Sequence, residues 1–162
     1  MNVYTLIQRQ LVRRPLGEVF AFFSRPENLE RLTPKALGFR ILTPTPIDMK
    51  EGAVIEYSIR ILAVPVRWTT LITLYEPPNR FIDLQQKGPY AYWHHTHTFT
   101  ATPDGTLITD EVQYAMPYGL LGRIARAFFV ERQLGNIFLQ RSYVIEAIFD
   151  QQKEQQIGRA HV

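Results

Sequence analysis

The sequence predicts an α+β fold in which one long C-terminal helix lies across a curved antiparallel sheet and encloses a cavity. Almost everything in residues 39–116 reads as strand, because β-branched and aromatic residues alternate there with polar ones. Residues 119–150 contain no proline, and their apolar side chains recur at helical spacing over about 45 Å of helix. An apolar stripe of that length needs a broad surface to cover, and the sheet supplies it.

The long helix also indicates where a cavity should lie. Its predicted inward stripe consists of Leu120, Ile124, Phe128, Leu134, Phe138, Ile145 and Phe149. Glu131 and Gly135 fall on or beside that stripe, although a tightly packed core would hold large apolar side chains at such positions. We therefore expect open space beneath Glu131 and Gly135, and a ligand wall that includes both residues and Phe138.

The first third of the chain predicts a strand, two short helices and another short strand. Residues 3–12 alternate apolar and polar side chains as a half-buried strand does. Residues 16–33 suit two helices that are separated near Pro26, since proline interrupts helical hydrogen bonding. A short strand at 39–42 precedes a loop that is rich in proline.

The middle of the chain predicts five further strands, which makes about seven in all. Ala63, Val64 and Pro65 are expected to join the first pair as a hairpin, and Asp104-Gly105 to turn the last pair. The five predicted strands cover residues 53–62, 66–75, 80–87, 91–101 and 106–115.

The composition limits the classes of protein to which the chain can belong. A chain of 162 residues with 46% hydrophobic residues suits one globular domain, predicted over residues 1–150, with a polar tail over 151–162. The absence of cysteine excludes disulfides and thiolate chemistry, and favours a cytoplasmic protein. No signal peptide or membrane-inserted segment is predicted. The net charge of +3 is scattered along the chain, so nucleic-acid binding gains no support.

The order of elements and four segments resemble the helix-grip fold of the START and Bet v 1 superfamily, also called SRPBCC or polyketide cyclase/dehydrase-like proteins. The segments read VFAFFSRPENLERLTP, VPVRW, YEPPNRFIDLQQKGPYAYWHHTHTF and GTLITDEVQYAMPYG. The resemblance covers the chain from about Tyr4 to Phe149. It implies an internal hydrophobic cavity that takes lipids, sterols, polyketides or similar molecules, and it implies no particular reaction.

The most informative polar residues lie on the strand that begins near Tyr92. Side chains alternate along a strand, so His95 and His97 share one face with Trp93 and Phe99, and His94 lies on the other. The aromatic face should point inward. On the neighbouring strand, Phe81, Asp83 and Gln85 likewise share one face.

A two-residue loop at Asp104-Gly105 would set the register of the last hairpin. A loop one residue longer or shorter would instead turn Glu111 and Gln113 toward the histidines, so either register leaves carboxylates near them. The two-residue loop would pair Val112 with His97, Tyr114 with His95, and Asp110 with Phe99.

These patterns favour a binding module that encloses a small hydrophobic or amphipathic molecule. An alternative is a cyclase or dehydratase in which His95 or His97 removes a proton and Asp83, Asp110 or Tyr114 positions it. The predicted ligand wall comprises Trp68, Phe81, Asp83, Gln85, Trp93, His95, His97, Phe99, Val112, Tyr114, Glu131, Gly135 and Phe138.

A third hypothesis is a partner-interaction domain, because alternation places the apolar side chains of Ile82 and Leu84 on the outer face of the sheet. The chain is predicted to be a monomer or a homodimer. Two histidines at i and i+2 with Asp83 or Asp110 as a third ligand could also bind a metal. This pattern is more typical of hydrogen-bonded residues in a wet pocket. We therefore predict no metal and no cofactor.

Overall fold

The computed structural model describes the backbone of residues 1–160 and the side chains of residues 1–150. The predicted polar tail over 151–162 therefore lies outside the described side chains. Helices α1 to α4 cover Leu16–Phe23, Leu29–Leu32, Gly119–Ala125 and Glu131–Ala160. Strands β1 to β7 cover Tyr4–Val12, Arg40–Ile41, Val54–Ile61, Val64–Glu76, Arg80–Lys87, Tyr92–Thr102 and Gly105–Ala115.

The seven strands form one antiparallel sheet in the order β1-β7-β6-β5-β4-β3-β2. Consecutive hairpins produce this order from β2 to β7, and β1 then pairs with β7 along its whole length. The sheet is curved, and α1 and α4 contact it from one side, so the predicted helix-grip architecture is confirmed. No helix in the described part of the chain is long and apolar enough to cross a bilayer.

Two apolar clusters fill the space between the sheet and the helices. In the first, Phe20 of α1 packs edge-on against Phe99 of the sheet at 5.3 Å between ring centroids, with Phe149 of α4 close by. In the second, Trp68 and Trp93 pack with Phe138 of α4. The first cluster holds α1 in place, and both clusters contribute to a cavity wall, the first through Phe23, Leu32 and Phe81.

The predicted single helix from Gly119 to Asp150 is wrong in one respect, because a π-helical turn at Arg126–Val130 separates α3 from α4. A π turn adds a residue to the helical turn and changes the direction in which later side chains point. One 3.6-residue stripe therefore does not continue across it. Leu134, Phe138, Ile145 and Phe149 are buried as predicted, whereas Leu120, Ile124 and Phe128 are exposed.

Two hairpin turns also differ from the prediction. The β3–β4 hairpin turns at Leu62 and Ala63, which both have positive φ, so Val64 and Pro65 belong to β4. The β6–β7 hairpin turns at Pro103-Asp104, one residue earlier than predicted. Proline's fixed φ suits the first central position of a turn.

The register of β6 and β7 is therefore shifted by two residues from the prediction. Because side chains alternate with a period of two, this shift changes the partners and keeps every side chain on its predicted face. The observed pairs are His97 with Asp110, His95 with Val112, Phe99 with Ile108, and Trp93 with Tyr114.

Candidate functional site

A cavity of about 220 Å³ lies between the sheet and the helices. Residues of α1, α2, the strands β2 to β6 and α4 contribute to its wall, which is mostly apolar and aromatic. Seven of the predicted wall residues line it: Trp68, Phe81, Asp83, Trp93, His95, His97 and Phe138. These residues come from four different elements, so the curved sheet and α4 together create the cavity.

Four predicted wall residues lie elsewhere in the interior. Gln85 does not face the cavity, because its amide bridges the backbone of Tyr90 with contacts of 2.8 and 3.2 Å. Phe99 and Val112 are buried in the two apolar clusters. The ring of Tyr114 packs on Tyr4 at 5.7 Å. These four residues support the wall from behind.

Glu131 and Gly135 were placed wrongly. Both are exposed, and Glu131 forms a surface ion pair with Arg126 at 3.3 Å between Nη2 and Oε2. A Cβ on Gly135 would meet no atom within 4 Å. The cavity therefore does not depend on a small residue on α4. It lies instead where the sheet curves away from the helix.

Several lining residues were missed by the sequence prediction. Tyr57 on β3 lines the cavity between Ile55 and Ile59, and strand alternation alone would have placed all three on one face. Arg141 follows Phe138 by three positions and Leu134 by seven, which is the spacing of one helix face. The contributions of α2 and the following turn, Leu32 and Leu37, carried no periodic signal because those segments are too short.

The polar part of the wall is a compact cluster of two histidines between two carboxylates. The rings of His95 and His97 lie next to each other, with centroids 3.7 Å apart and planes tilted by 31°. On one side, Asp110 Oδ1 lies 2.8 Å from His95 Nε2 and 3.1 Å from His97 Nδ1. On the other side, Asp83 Oδ2 lies 2.6 Å from His97 Nε2 and 3.7 Å from His95 Nδ1. Each ring thus faces both carboxylates.

This cluster connects the two apolar clusters. His97 stacks on Phe81 at 4.1 Å, and His95 meets the edge of Phe138 at 5.7 Å. Arg141 reaches from α4 to within 3.6 Å of Asp110 Oδ1. The histidines, Asp110 and Arg141 are buried, so their contacts are largely shielded from water.

The two carboxyl groups of the cluster remain ionised. Burial alone would raise the pKa of Asp110, but Arg141 and the two histidines hold that pKa well below its usual range. Burial opposes ionisation of Asp83 as well, and His95 and His97 lower its pKa. The cluster therefore contains two negative charges and one guanidinium charge, and an electrically neutral site needs one further positive charge.

The pKa values of the two histidines are shifted in opposite directions. Burial and the neighbouring His97 lower the pKa of His95, so its ring is neutral near pH 7. Burial would also lower the pKa of His97, yet the contacts with Asp110 and Asp83 raise it above the usual value. The two carboxylates therefore favour a proton on His97 over one on His95, and His95 keeps one acceptor nitrogen.

Uncharged donors complete the wall. The indole N–H of Trp68 is buried and has no hydrogen-bond partner among the described residues. Burial raises the pKa of Tyr57 and of Tyr90 above the usual value, so both hydroxyls remain protonated. A ligand with an acceptor oxygen can satisfy such donors.

The outer face of the sheet carries the residues that alternation assigned to it. His94 pairs with Leu84 and Gln113 across the sheet, and Ile82 pairs with Thr96, all on the side away from the cavity. Ile82 and Leu84 are only partly exposed. A partner-interaction role for this face and the monomer or homodimer state remain predictions.

Similar solved structures share this fold at low sequence identity. A START superfamily protein from Mycobacterium smegmatis is 13% identical and superposes with a TM-score of 0.68 over 91% of this chain and 97% of that one. The di-domain ARO/CYC StfQ of the steffimycin biosynthetic pathway is 10% identical, with a TM-score of 0.69 over 94% of this chain and 52% of that one.

A synthase has the same fold as well. Norcoclaurine synthase from Thalictrum flavum, in complex with a transition-state analogue, is 13% identical, with a TM-score of 0.67 over 94% of this chain and 97% of that one. No curated protein sequence matches the chain. The family model described as polyketide cyclase / dehydrase and lipid transport matches residues 12–137. This match spans most of the domain, including the cavity wall from α1 to the first turns of α4, and the chain belongs to that family.

Proposed function

We propose that the protein binds a compact amphipathic molecule of one or two rings in the cavity and orients its polar group on the histidine–aspartate cluster. The observation that carries this proposal is the combination of an apolar cavity of about 220 Å³ with one buried polar cluster in its wall. Binding pockets typically combine an apolar lining with a few well-placed polar groups.

The cavity volume favours a ring system over a long chain. A dry apolar cavity of about 150 Å³ already accepts a benzene-sized molecule. The cavity here is somewhat larger, and its aromatic walls include Trp68 and Trp93, whose rings meet edge to face at 5.2 Å. Flat aromatic ligands pack well against such walls. The fold shared with the ARO/CYC protein StfQ is in keeping with a polyketide-like ligand.

The polar cluster gives the ligand an orientation. Neutral His95 offers an acceptor nitrogen, and the indole Nε1–H of Trp68 offers a donor. A hydroxyl or carbonyl group on the ligand would therefore find a partner at this end of the cavity, and the remaining rings would contact Phe138 and Trp93. Unpaired buried donors cost about 1–3 kcal/mol each, so a ligand that satisfies them gains affinity.

Two measurements test binding. Native mass spectrometry of protein purified under mild conditions should show a retained small molecule. Isothermal titration calorimetry with 2-naphthol, a two-ring molecule with one hydroxyl, should show one site per chain. His95→Gln should weaken that affinity by about tenfold, which equals 1.4 kcal/mol.

The matched control is His94→Gln on the opposite face of the same strand. It changes the same chemical group one position away, and we expect 2-naphthol affinity within twofold of the unchanged protein. Absence of any binding, or equal losses in both variants, would contradict the proposed site.

A second candidate function is catalysis of the cyclase or dehydratase type. The specific observation in its favour is neutral His95, which Asp110 holds at 2.8 Å in the cavity wall, as a carboxylate orients a general base. Such a base would remove a proton from the carbon next to a bound carbonyl group.

Deuterium exchange separates catalysis from binding. With 2-tetralone, a two-ring ketone, in heavy water, a general base should accelerate deuterium incorporation beside the carbonyl by about 10² or more over buffer. His95→Gln should abolish the acceleration and His94→Gln should keep it. Binding of 2-tetralone without accelerated exchange would leave the binding function alone.

A further inference from the structure

We propose that Asp83, His95 and His97 form a binding site for a divalent transition metal whose open coordination position faces the cavity. The sequence pattern alone favours a metal-free pocket, and the proposal rests on how the fold brings the three residues together. One nitrogen of each histidine and one oxygen of Asp83 lie within 4.8 Å of one another. Metal binding at these three residues requires no organic ligand.

The separations between the candidate ligand atoms suit a four-coordinate ion. Zinc bonds of about 2.0–2.2 Å to nitrogen and oxygen place tetrahedral ligand atoms roughly 3.3–3.5 Å apart. Asp83 Oδ2 lies 2.6 Å from His97 Nε2 and 3.7 Å from His95 Nδ1, values on either side of that distance. A small rotation of the Asp83 carboxylate, the most accessible of the three groups, would equalise them.

The opposite side of the two rings carries the strongest argument. A histidine that binds a metal usually donates its other ring N–H to a carboxylate or carbonyl oxygen, which fixes the ring and its tautomer. Here His95 Nε2 donates to Asp110 Oδ1 at 2.8 Å, whereas His97 Nδ1 lies 3.1 Å from the same oxygen without hydrogen-bond geometry. Asp110 thus supports His95 directly and lies beside His97, and Arg141 balances the charge of Asp110 from 3.6 Å.

The donor set indicates the class of metal. Two imidazole nitrogens and one carboxylate suit zinc, iron or another first-row transition metal, whereas magnesium and calcium prefer oxygen ligands alone. Three protein ligands leave at least one position open, as in catalytic metal sites. Because all three residues line the cavity, a molecule bound there can reach this position.

The surrounding charges indicate what would occupy the open position. With both rings neutral, a divalent ion, Arg141 and the two carboxylates sum to one positive charge. An anionic oxygen, such as hydroxide or an enolate, phenolate or carboxylate of the ligand, would neutralise it. Charge balance matters here because the histidines, Asp110 and Arg141 are shielded from water.

Metal titration tests the proposal with Zn²⁺ alone as the probe. Protein stripped with a chelator should bind about one Zn²⁺ per chain. The ion should remain bound after desalting, as measured by elemental mass spectrometry. Co²⁺ in its place should give the intense visible absorption of a four- or five-coordinate ion. His97→Gln should weaken Zn²⁺ binding by about 100-fold or more, and Asp110→Asn by about 10- to 100-fold.

His94→Gln is the matched control and should bind Zn²⁺ within twofold of the unchanged protein. Circular dichroism establishes that each variant is folded, and the Co²⁺ spectrum of the unchanged protein requires no variant. Substoichiometric Zn²⁺, a six-coordinate Co²⁺ spectrum, or unaltered binding in folded His97→Gln would overturn the proposal. Because no organic ligand is present, these results leave the 2-naphthol experiment independent.

Discussion

The two parts of the C-terminal helical segment use the same residue types in opposite ways. In α3 and the π turn, large apolar side chains are exposed, with Phe128 71% exposed, and a glycine, Gly122, is buried. In α4, Phe149 is 4% exposed and the glycine, Gly135, is exposed. The two parts have similar spacing in the sequence, so amphipathic spacing alone did not decide which residues are buried.

The surface that each part meets explains the difference. α4 lies over the sheet and α1, where Ile145 and Phe149 join the first apolar cluster. α3 begins directly after β7, and the main contact of Gly122 is with the chain that connects the strand to the helix. A stripe becomes core only where another element covers it, and the π turn separates the covered part from the uncovered one.

The largest expected effect comes from a pair of phenylalanines. Phe149→Ala should lower the free energy of unfolding by about 3–5 kcal/mol, because it opens a cavity in the first apolar cluster. Phe128→Ala should change the free energy of unfolding by less than about 0.5 kcal/mol, because this ring is exposed. Urea denaturation of both variants measures the difference. Similar losses in the two would mean that α3 is packed as tightly as α4.

A pair of arginines gives the next effect. Arg141→Met leaves buried Asp110 without its guanidinium partner and should cost about 1–3 kcal/mol at pH 7. Arg132, which is exposed at the start of α4, should tolerate the same change with little loss. Thermal unfolding at constant pH compares them. Equal stability of both variants would show that the histidines alone hold Asp110 ionised.

Acid titration sharpens the arginine comparison. The folded-state pKa of Asp110 lies well below the ordinary value of 3.8, so its ionised form stabilises the fold above about pH 4. That contribution is lost as the pH falls through the folded-state pKa. Arg141→Met raises the folded-state pKa, and acid unfolding should therefore begin at a higher pH than in Arg132→Met. Coincident acid transitions would contradict this assignment.

Alanine at the two glycines should change stability in opposite directions, with the smallest effect at Gly135. Gly122→Ala should destabilise by about 1–3 kcal/mol, because its Cβ would collide with the carbonyl oxygen of Pro117. Gly135→Ala should stabilise by about 0.8–1 kcal/mol, since alanine is the better helix former and meets no neighbour. Differential scanning calorimetry resolves both shifts. A destabilised Gly135→Ala would place this helix face against an unrecognised contact.

Much of the fold was predictable because alternation and periodicity are local signals. Strand β5 has the predicted bounds, and alternation placed Asp83, His95 and His97 together on the inner face. The closeness of these three residues could be predicted because β5 and β6 are neighbouring strands. The predicted partners in the last hairpin were wrong because one turn can begin at proline or at the residue after it, and both choices keep the same faces.

The phase of the helix was not predictable from spacing. A π turn has no marked composition in this sequence, so nothing signalled that Phe128 would point away from the sheet. Glu131 and Gly135 were assigned to the cavity for the same reason. The cavity arises from sheet curvature, which depends on the summed twist of seven strands and not on one small residue.

The position of the two tryptophans has a practical consequence. Trp68 and Trp93 are the only tryptophans in the chain, both are buried in the cavity wall, and their rings lie 5.2 Å apart at an angle of 89°. Intrinsic fluorescence excited at the red edge therefore comes from the cavity wall alone. The coupled indoles should also give a paired signal in circular dichroism that changes when either ring moves, so the protein carries its own optical reporter of occupancy.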